Sequence, residues 1–315
     1  MRNLKRTIFL FLLFLIILEV IFIFPKQLET ANNIVDSNPL TQEKAEQKMD
    51  GVHLVESQKG NRDWELFAEN ARGYQGEGDW FLKKVKVQFY NKDKIDFIVT
   101  GDEGEIDGIT RNMKVKGNVV ITSSNGYLFY TAELFYNSIL RKIISPGEIK
   151  MVGPGDEQGE GLVLNGRNMH VLIDISEMKI FKDVQSSKKL KNMNNLNIQS
   201  ESALFSSQNK EVHFQNNVIL IYNDMIIRGP DCYFNYSHNM KTLEYIRVKG
   251  GVEVKDKKRR AISEELEVNL QSNILKFNGN PKIYQDEDEI SGDEILFFDG
   301  GKKIKIQKVK ASSQI

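Results

Sequence analysis

One cysteine in 315 residues excludes an internal disulfide framework, whatever the redox state of the compartment. Cys232 therefore reads as a small buried apolar residue, not a redox centre. Neither sign of charge is in excess: 43 Lys plus Arg balance 43 Asp plus Glu. That balance argues against a nucleic-acid partner, because displacing counterions from phosphates needs a net basic face. His53, His170, His213 and His238 stand far apart in the sequence, without the clustered spacing a zinc site requires, so no metal is expected. No phosphate-binding glycine loop, nucleophile elbow or dinucleotide fingerprint occurs, so neither a catalytic residue nor a cofactor is expected. Long apolar runs are also missing, with one exception at the N-terminus.

That exception is Ile8 to Phe24, preceded by Arg2, Lys5 and Arg6. Its length is at the short end of what crosses a hydrocarbon core as a helix. The flank Pro25-Lys26-Gln27-Leu28 offers no small-x-small cleavage pattern. The expectation is an uncleaved signal anchor over residues 1–25, bounded by Ile8 and Phe24 as its apolar ends. Its basic end is cytoplasmic and the rest of the chain exported. Glu19 fits the outer interface, close to Pro25. Residues 26–50 are polar and read as a tether, in which Ser37-Asn38-Pro39 could cap a short helix ending near Gly51.

After Gly51 the apolar period becomes two. Trp64, Leu66 and Ala68 alternate with Glu65 and Glu69; Val85, Val87 and Phe89 with Lys86 and Gln88; Leu266 and Val268 with Glu265 and Glu267. This is the pattern of antiparallel strands with one dry and one wet face, and no helical period competes with it after the tether. The strands repeat every 30 to 36 residues or so. Each repeat opens on a small or polar pair with an acidic residue, as in Thr100-Gly101-Asp102, Ser200-Glu201-Ser202 and Ser291-Gly292-Asp293. Gly117-Asn118, Asn216-Asn217, Gly250-Gly251 and Gly279-Asn280 read as turns between short strands. No single unit can bury its apolar face alone, so the units must stack.

A polar, turn-rich stretch at residues 188–197 marks a module boundary, giving modules at 51–187 and 198–315. Asp286-Glu287-Asp288-Glu289 lacks the spacing and glycine of a calcium loop and reads as a solvated hairpin tip. Lys255 to Arg260, broken by Asp256, reads as a charged strand end that discourages edge aggregation. Tyr127-Leu128-Phe129-Tyr130 and Val218 to Tyr222 are apolar on both faces, so each needs a second cover.

Trp64-Glu65-Leu66-Phe67-Ala68-Glu69-Asn70-Ala71, Asp79-Trp80-Phe81 and Val85 to Ile95 together resemble the LptC family, membrane-anchored components of the lipopolysaccharide export machine. Val99 to Gly104 and Val115-Lys116-Gly117-Asn118-Val119 continue the match. From Ile198 the chain is similar instead to the LptA/OstA-like periplasmic module, through Val212 to Leu220, Val248 to Val254 and Ile290 to Ile295. The resemblance implies an all-β protein made of twisted, V-shaped jellyroll modules in tandem after one transmembrane helix. It implies single-pass inner-membrane localisation with the bulk of the chain in the periplasm.

The implied function is transport: lipopolysaccharide is accepted from an inner-membrane ABC transporter and passed outward along an apolar groove. Further partners would be like jellyroll modules joined by edge-strand addition. On the alternation, the groove lining is expected to be Trp64, Leu66, Phe81, Val87, Phe97, Val99, Val119, Ile121, Leu128, Tyr130, Val252, Val254, Leu266 and Val268. Phe81 carries most weight, since it stands in the matching Trp-Phe pair. A different reading of the same repeats is an anchored, self-assembling β-scaffold without lipid cargo. A polysaccharide-acting enzyme would need carboxylates clustered on one strand face, which the sequence does not offer.

Overall fold

The structure is a computed structural model that describes residues 46–313, apart from 59, 75, 77, 158, 192–194, 207–208, 238–241, 299–302 and 308–309. The apolar run from Ile8 to Phe24 lies outside the described residues, as does most of the tether. Among the described residues no helix is long and apolar enough to cross a membrane. The strands of the first half are β1 (Glu46–Gln58), β2 (Asn61–Tyr74), β3 (Asp79–Asn91), β4 (Lys94–Asp107), β5 (Met113–Ser123), β6 (Leu128–Asn137), β7 (Lys142–Val152), β8 (Val163–Leu172) and β9 (Glu177–Lys189). They continue as β10 (Asn195–Ser200), β11 (Ser202–Ser206), β12 (Glu211–Tyr222), β13 (Met225–Tyr236), β14 (Leu243–Lys255) and β15 (Arg259–Asn269). Then come β16 (Ile274–Asn278), β17 (Lys282–Gln285), β18 (Asp288–Ser291), β19 (Glu294–Phe298), β20 (Lys303–Gln307) and β21 (Lys310–Ser313). A single 3-10 turn at Ile173–Ile175 separates β8 from β9. All pairings are antiparallel, and from β1 to β9 each strand pairs with the next in sequence.

The strands are longer than the sequence pattern suggests, because many of the expected turns lie inside them. Gly117 and Asn118 sit in the middle of β5, Asn216 and Asn217 in β12, and Gly250 and Gly251 in β14. Both members of each pair have left-handed backbone, with φ of 74° and 46° in β5, 62° and 51° in β12, and 88° and 93° in β14. The strand register shifts at the same places, between Lys116 and Val119, Gln215 and Val218, and Lys249 and Val252. These are bulges: extra residues that bend a strand without ending it. Glycine and asparagine look like turn signals because a bulge and a hairpin both need positive φ, and only the partner strands distinguish them.

The bends of neighbouring strands line up and are stitched by side chains. Asp102 at the bend of β4 accepts hydrogen bonds from Lys84 of β3 (2.9 Å) and Asn118 of β5 (2.7 Å). These contacts hold its carboxyl below the usual range, Lys84 contributing most. Thr131 and Ser145 share a hydrogen bond of 2.8 Å, Arg167 donates to Asp183 at 2.7 Å, and Asn217 donates to Glu201. At least at Asp102 and Glu201, the acidic residue that opens a repeat is thus the acceptor for the bend next door.

On both sides of the bend line the inward residues form one apolar cluster that runs from Val52 to Phe297. The cluster crosses the compositional break at residues 188–197 without interruption. β9 reaches Lys189, β10 begins at Asn195, and β9 pairs with both β10 and β11. Much of the stretch expected as linker is therefore strand, in which exposed Asn195 and Asn197 alternate with buried Leu196 and Ile198. Likewise β1 starts at Glu46, so residues 46–51 are strand and no helix ends near Gly51.

Lys188 is a charged residue buried in the same stretch. Its ammonium is fully buried, 2.6 Å from Asp156 and 2.8 Å from the carbonyl of Glu160, both in the segment between β7 and β8. The backbone of that segment also docks on β9, Glu160 donating to the Lys189 carbonyl at 3.0 Å. Removing one partner of a buried pair strands the other charge in a low dielectric, at about 3–5 kcal/mol. Lys188→Met is expected to cost that much in urea unfolding, and Lys188→Met with Asp156→Leu to recover most of it.

Candidate functional site: the interior and its seam

Eleven of the fourteen residues expected to line a groove share the buried cluster: Trp64, Leu66, Val87, Phe97, Val99, Val119, Ile121, Val252, Val254, Leu266 and Val268. The other three do not. Phe81 is 44% exposed and Tyr130 39%, and Leu128 is half-buried. The inward positions beside them are Leu82, with Trp80 packed against the core, and Phe129.

The error at Phe81 has a specific cause. Counting back by twos from Val87 and Val85 reaches Phe81, but Lys84 has φ of 52° and the alternation breaks at that bend: Leu82 and Val85, three residues apart, are both buried. Such a break moves every side chain beyond it to the other face. At β6, where both faces are apolar, periodicity could not choose between Tyr127-Phe129 and Leu128-Tyr130. Tyr127 and Phe129 are the buried pair. The same alternation marks Phe89, Phe214 and Phe234, which the expected lining omits although all are buried.

The inner faces meet across the interior. Phe205 of β11 packs edge-on against Tyr127 (5.9 Å between ring centres) and against Phe129 of β6 (6.1 Å), although β6 and β11 share no backbone pairing. Phe97, Tyr127, Phe129, Met178, Phe205 and Val212 surround a void of about 20 Å³. That is room for a water molecule and far too small for an acyl chain. Two larger depressions, of about 970 and 680 Å³, are open and lie along the bend line; Tyr130 lines the first. Their walls mix Lys150, Arg167 and Asp183 with Val120, or Arg228 and Glu253 with Ile219, and so lack the uniform apolar character of the interior.

Hairpin tips from opposite ends of the strands close the interior. Asn91, at the β3–β4 tip, donates to the carbonyl of Ile173 (2.9 Å) and to the Ser176 hydroxyl (3.1 Å) at the β8–β9 tip. Ser176 in turn donates to Asp96 at 2.6 Å. Arg141 of the β6–β7 tip donates to the Tyr90 carbonyl (2.6 Å) and to Asp174 (2.6 Å), and pairs with Asp63 of β2. Farther along, Thr242 donates to Glu157 (3.1 Å) and Tyr222 to Asn273 (3.2 Å). Small polar contacts thus form a seam over an apolar core.

Among the described residues no three His, Cys, Asp or Glu side chains are grouped for a metal ion. His213 sits 2.7 Å from Asp231 and is stacked on Tyr233, while His53 is stacked on Phe67. His238 lies outside the described residues. Burial pushes the Cys232 thiol far up, consistent with a structural role.

Comparisons with known families separate the chain into the two parts that the composition suggests. The profile described as lipopolysaccharide-assembly, LptC-related, matches residues 10–189, more than half of the chain. The chain belongs to the LptC-related family. A second profile, the LptA or LptD N-terminal domain lipopolysaccharide transport protein, matches residues 197–299, beyond the LptC-related part. Both matches support a role in lipopolysaccharide transport. No curated protein matches this LptC-related chain significantly. Among solved structures it is similar to LptH of Pseudomonas aeruginosa, described as the LptA-homologous periplasmic component of the lipopolysaccharide transport device. The identity is 14%, covering 38% of this chain and 95% of that one, with a TM-score of 0.34.

Three buried phenols make the closed interior sensitive to alkali. Burial pushes Tyr127 up to about 12 and raises Tyr136 and Tyr236 further. A phenol that ionises near 10 in the unfolded chain favours the fold fully below pH 10, and that contribution is lost as the pH rises toward the folded value. Thermal stability is expected to be flat from pH 8 to 9.5 or so and to fall steeply above about 10. Tyr127→Phe should reduce the slope, read by melting curves across that range.

Proposed function

We propose that this LptC-related chain carries lipopolysaccharide outward from an inner-membrane ABC transporter, holding its acyl chains between the inner faces of the bent sheet. In this reading residues 8–24 anchor the chain in the inner membrane and the two matched regions act as successive V-shaped jellyrolls in the periplasm. The carrying observation is the unbroken apolar cluster that crosses from the LptC-related part into the LptA-like part. A conduit needs such continuity, because a chain that slides must not lose its burial on the way. Each buried methylene is worth about 0.8 kcal/mol, so a long acyl chain gains on the order of 10 kcal/mol over exposure to water.

The interior is filled by its own side chains, so loading requires the two rows of tips to part. The seam suits that purpose: most of its contacts are single hydrogen bonds worth about 0.5–1.5 kcal/mol each, with the Arg141–Asp63 pair as its firmest point. Outward transfer would follow by strand addition at the sheet edges, where β1 pairs only with β2 among the described residues. The chain supplies no energy source in this scheme; the transporter does.

Locking the seam tests the reading. Asn91→Cys with Ser176→Cys places two thiols where side-chain atoms now lie 3.1 Å apart, while Cys232 is buried and out of exchange. The oxidised variant is expected to lose capture of lipopolysaccharide by a photo-crosslinker at Val99, and a reductant to restore it. Equal capture with the seam locked, or capture by a crosslinker at outward-facing Phe81 as strong as at Val99, would count against an interior path.

A further inference from the structure

The buried positions of β9 are Met178, Ile180, Val184, Ser186 and Lys188. Lys188 is thus part of the interior lining, and among the described residues no other lysine or arginine is buried. It stands where the LptC-related match ends, at residue 189, and just before the LptA-like match begins, at 197. Stability does not call for a charge there, because a well-packed apolar pair of similar volume is commonly as stable as a buried ion pair.

The partner of Lys188 comes from the longest connection between strands, the segment 153–162 that joins β7 to β8. Asp156 and the Glu160 carbonyl accept from the ammonium at 2.6 and 2.8 Å. The segment is acidic and covers a basic strand end: the Glu160 carboxylate also pairs with exposed Lys189 at 3.5 Å. Gly159 lets it lie close on β9, since a Cβ there would come 2.0 Å from the Lys189 carbonyl oxygen. It is joined to the strands by one isolated bridge, Gly159 with Leu190, and to the opposite row of tips by the contact of Thr242 with Glu157. The site therefore lies under the seam, where a polar group can stay near water while the chain behind it is buried.

Two phenols complete the surroundings. Tyr127, from the LptC-related part, shares a hydrogen bond with Tyr236, from the LptA-like part. Burial above all keeps both protonated, and the negative charge of Asp156 adds to it. The Tyr127 ring also lies against Gly153 at the start of the acidic segment and lines the void of about 20 Å³ beside Phe205. One ammonium and two phenolic hydroxyls are thus donors in an otherwise apolar interior, and the Asp156 carboxylate occupies the place of an anion among them.

We propose that Lys188, with Tyr127 and Tyr236, is a binding site for the phosphate head group of an amphiphile whose alkyl chain lies in the interior, and that Asp156 holds the site when no such ligand is bound. The phosphate displaces Asp156 from Lys188, and the 153–162 segment moves off β9 as it does so. A phosphate monoester suits the three donors better than a carboxylate, since it offers more acceptor oxygens, and a lysine pairs with it as a point charge. Exchange of one anion for another keeps the ammonium paired throughout, which avoids the cost of a lone buried charge. The inference rests on the interior path proposed above and adds one point to it, at the join of the two parts, where the head group is held.

The test uses the full chain in dodecyl maltoside micelles with two photoactivatable probes, dodecyl phosphate and dodecyl maltoside, each carrying a diazirine on its alkyl chain. Labelling of β6 and β11 is read by mass spectrometry. With Lys188→Met and Asp156→Leu together, about tenfold more phosphate probe is expected for half-labelling; with Asp156→Asn, which removes the competing carboxylate, about tenfold less. The maltoside probe should label every form alike. Lys189→Met with Glu160→Leu removes the exposed pair next door and should change neither probe. Tighter binding in Asp156→Asn separates a binding role from a structural one, since damage to the fold does not raise affinity. An unchanged value for the phosphate probe in either Asp156 variant overturns the proposal and leaves the interior path standing. So does displacement of that probe by inorganic phosphate at equal concentration, which assigns the site to a free anion. If neither probe labels β6 or β11, the interior path fails and the proposal with it.

Discussion

Everything in this sheet depends on the bend in the middle of its strands. A strand of ten to fourteen residues with one apolar face has nothing to pack against in a flat meander. Bulges with left-handed Gly and Asn pairs fold such strands at one line, so that the apolar halves face each other and the inward residues meet as a single cluster. Side chains that bridge adjacent bends, such as Asp102 between Lys84 and Asn118, keep the line straight through neighbouring strands. Once the sheet is folded along it, the hairpin tips are carried toward each other and the seam can form. Sheet, core and closure therefore follow from one local conformational choice repeated along the chain.

The same choice explains what the sequence made legible. Alternation identified the all-β class and placed Trp64, Val99, Ile121 and Leu266 inside, because away from the bends the period of two is kept. It could not separate a bulge from a hairpin, since Gly117-Asn118 and Gly250-Gly251 have the residues and the positive φ that either would use. The pattern suggests short strands with turns where long bent strands exist. Phase is lost at the β3 bend beside Lys84, which is why Phe81 takes the place of Leu82. Across the Gly and Asn pairs of β5, β12 and β14 it is kept, with Val115 and Val119, Phe214 and Val218, and Val248 and Val252 all buried. The polar stretch around Lys188 to Asn197 read as a linker because composition does not show pairing; β9 and β10 run through it, with a buried lysine at the join. Ile109, Ile139 and Leu140 are large apolar residues exposed at hairpin tips, which periodicity does not register because they lie outside strands.

For a member of the LptC-related family that continues into an LptA-like part, the arrangement has a physical consequence. The inner faces pack against each other, with a void of about 20 Å³ beside Phe205. On the proposed conduit reading, cargo would compete with this self-packing, helped by a closure that is polar while the surface beneath is apolar and continuous. Binding would then displace one apolar contact by another, with the seam contacts as the part that is lost.

The central claim is that the seam opens for lipid, and the separation of the two rows of tips reports it directly. Spin labels at Lys92→Cys and Ile175→Cys, beside the Asn91–Ser176 contact, allow the distance between the rows to be measured by pulsed electron–electron double resonance. The account predicts a short, narrow distribution without lipopolysaccharide and a longer one, in proportion to loading, when it is bound. A distribution unchanged at full loading would contradict it.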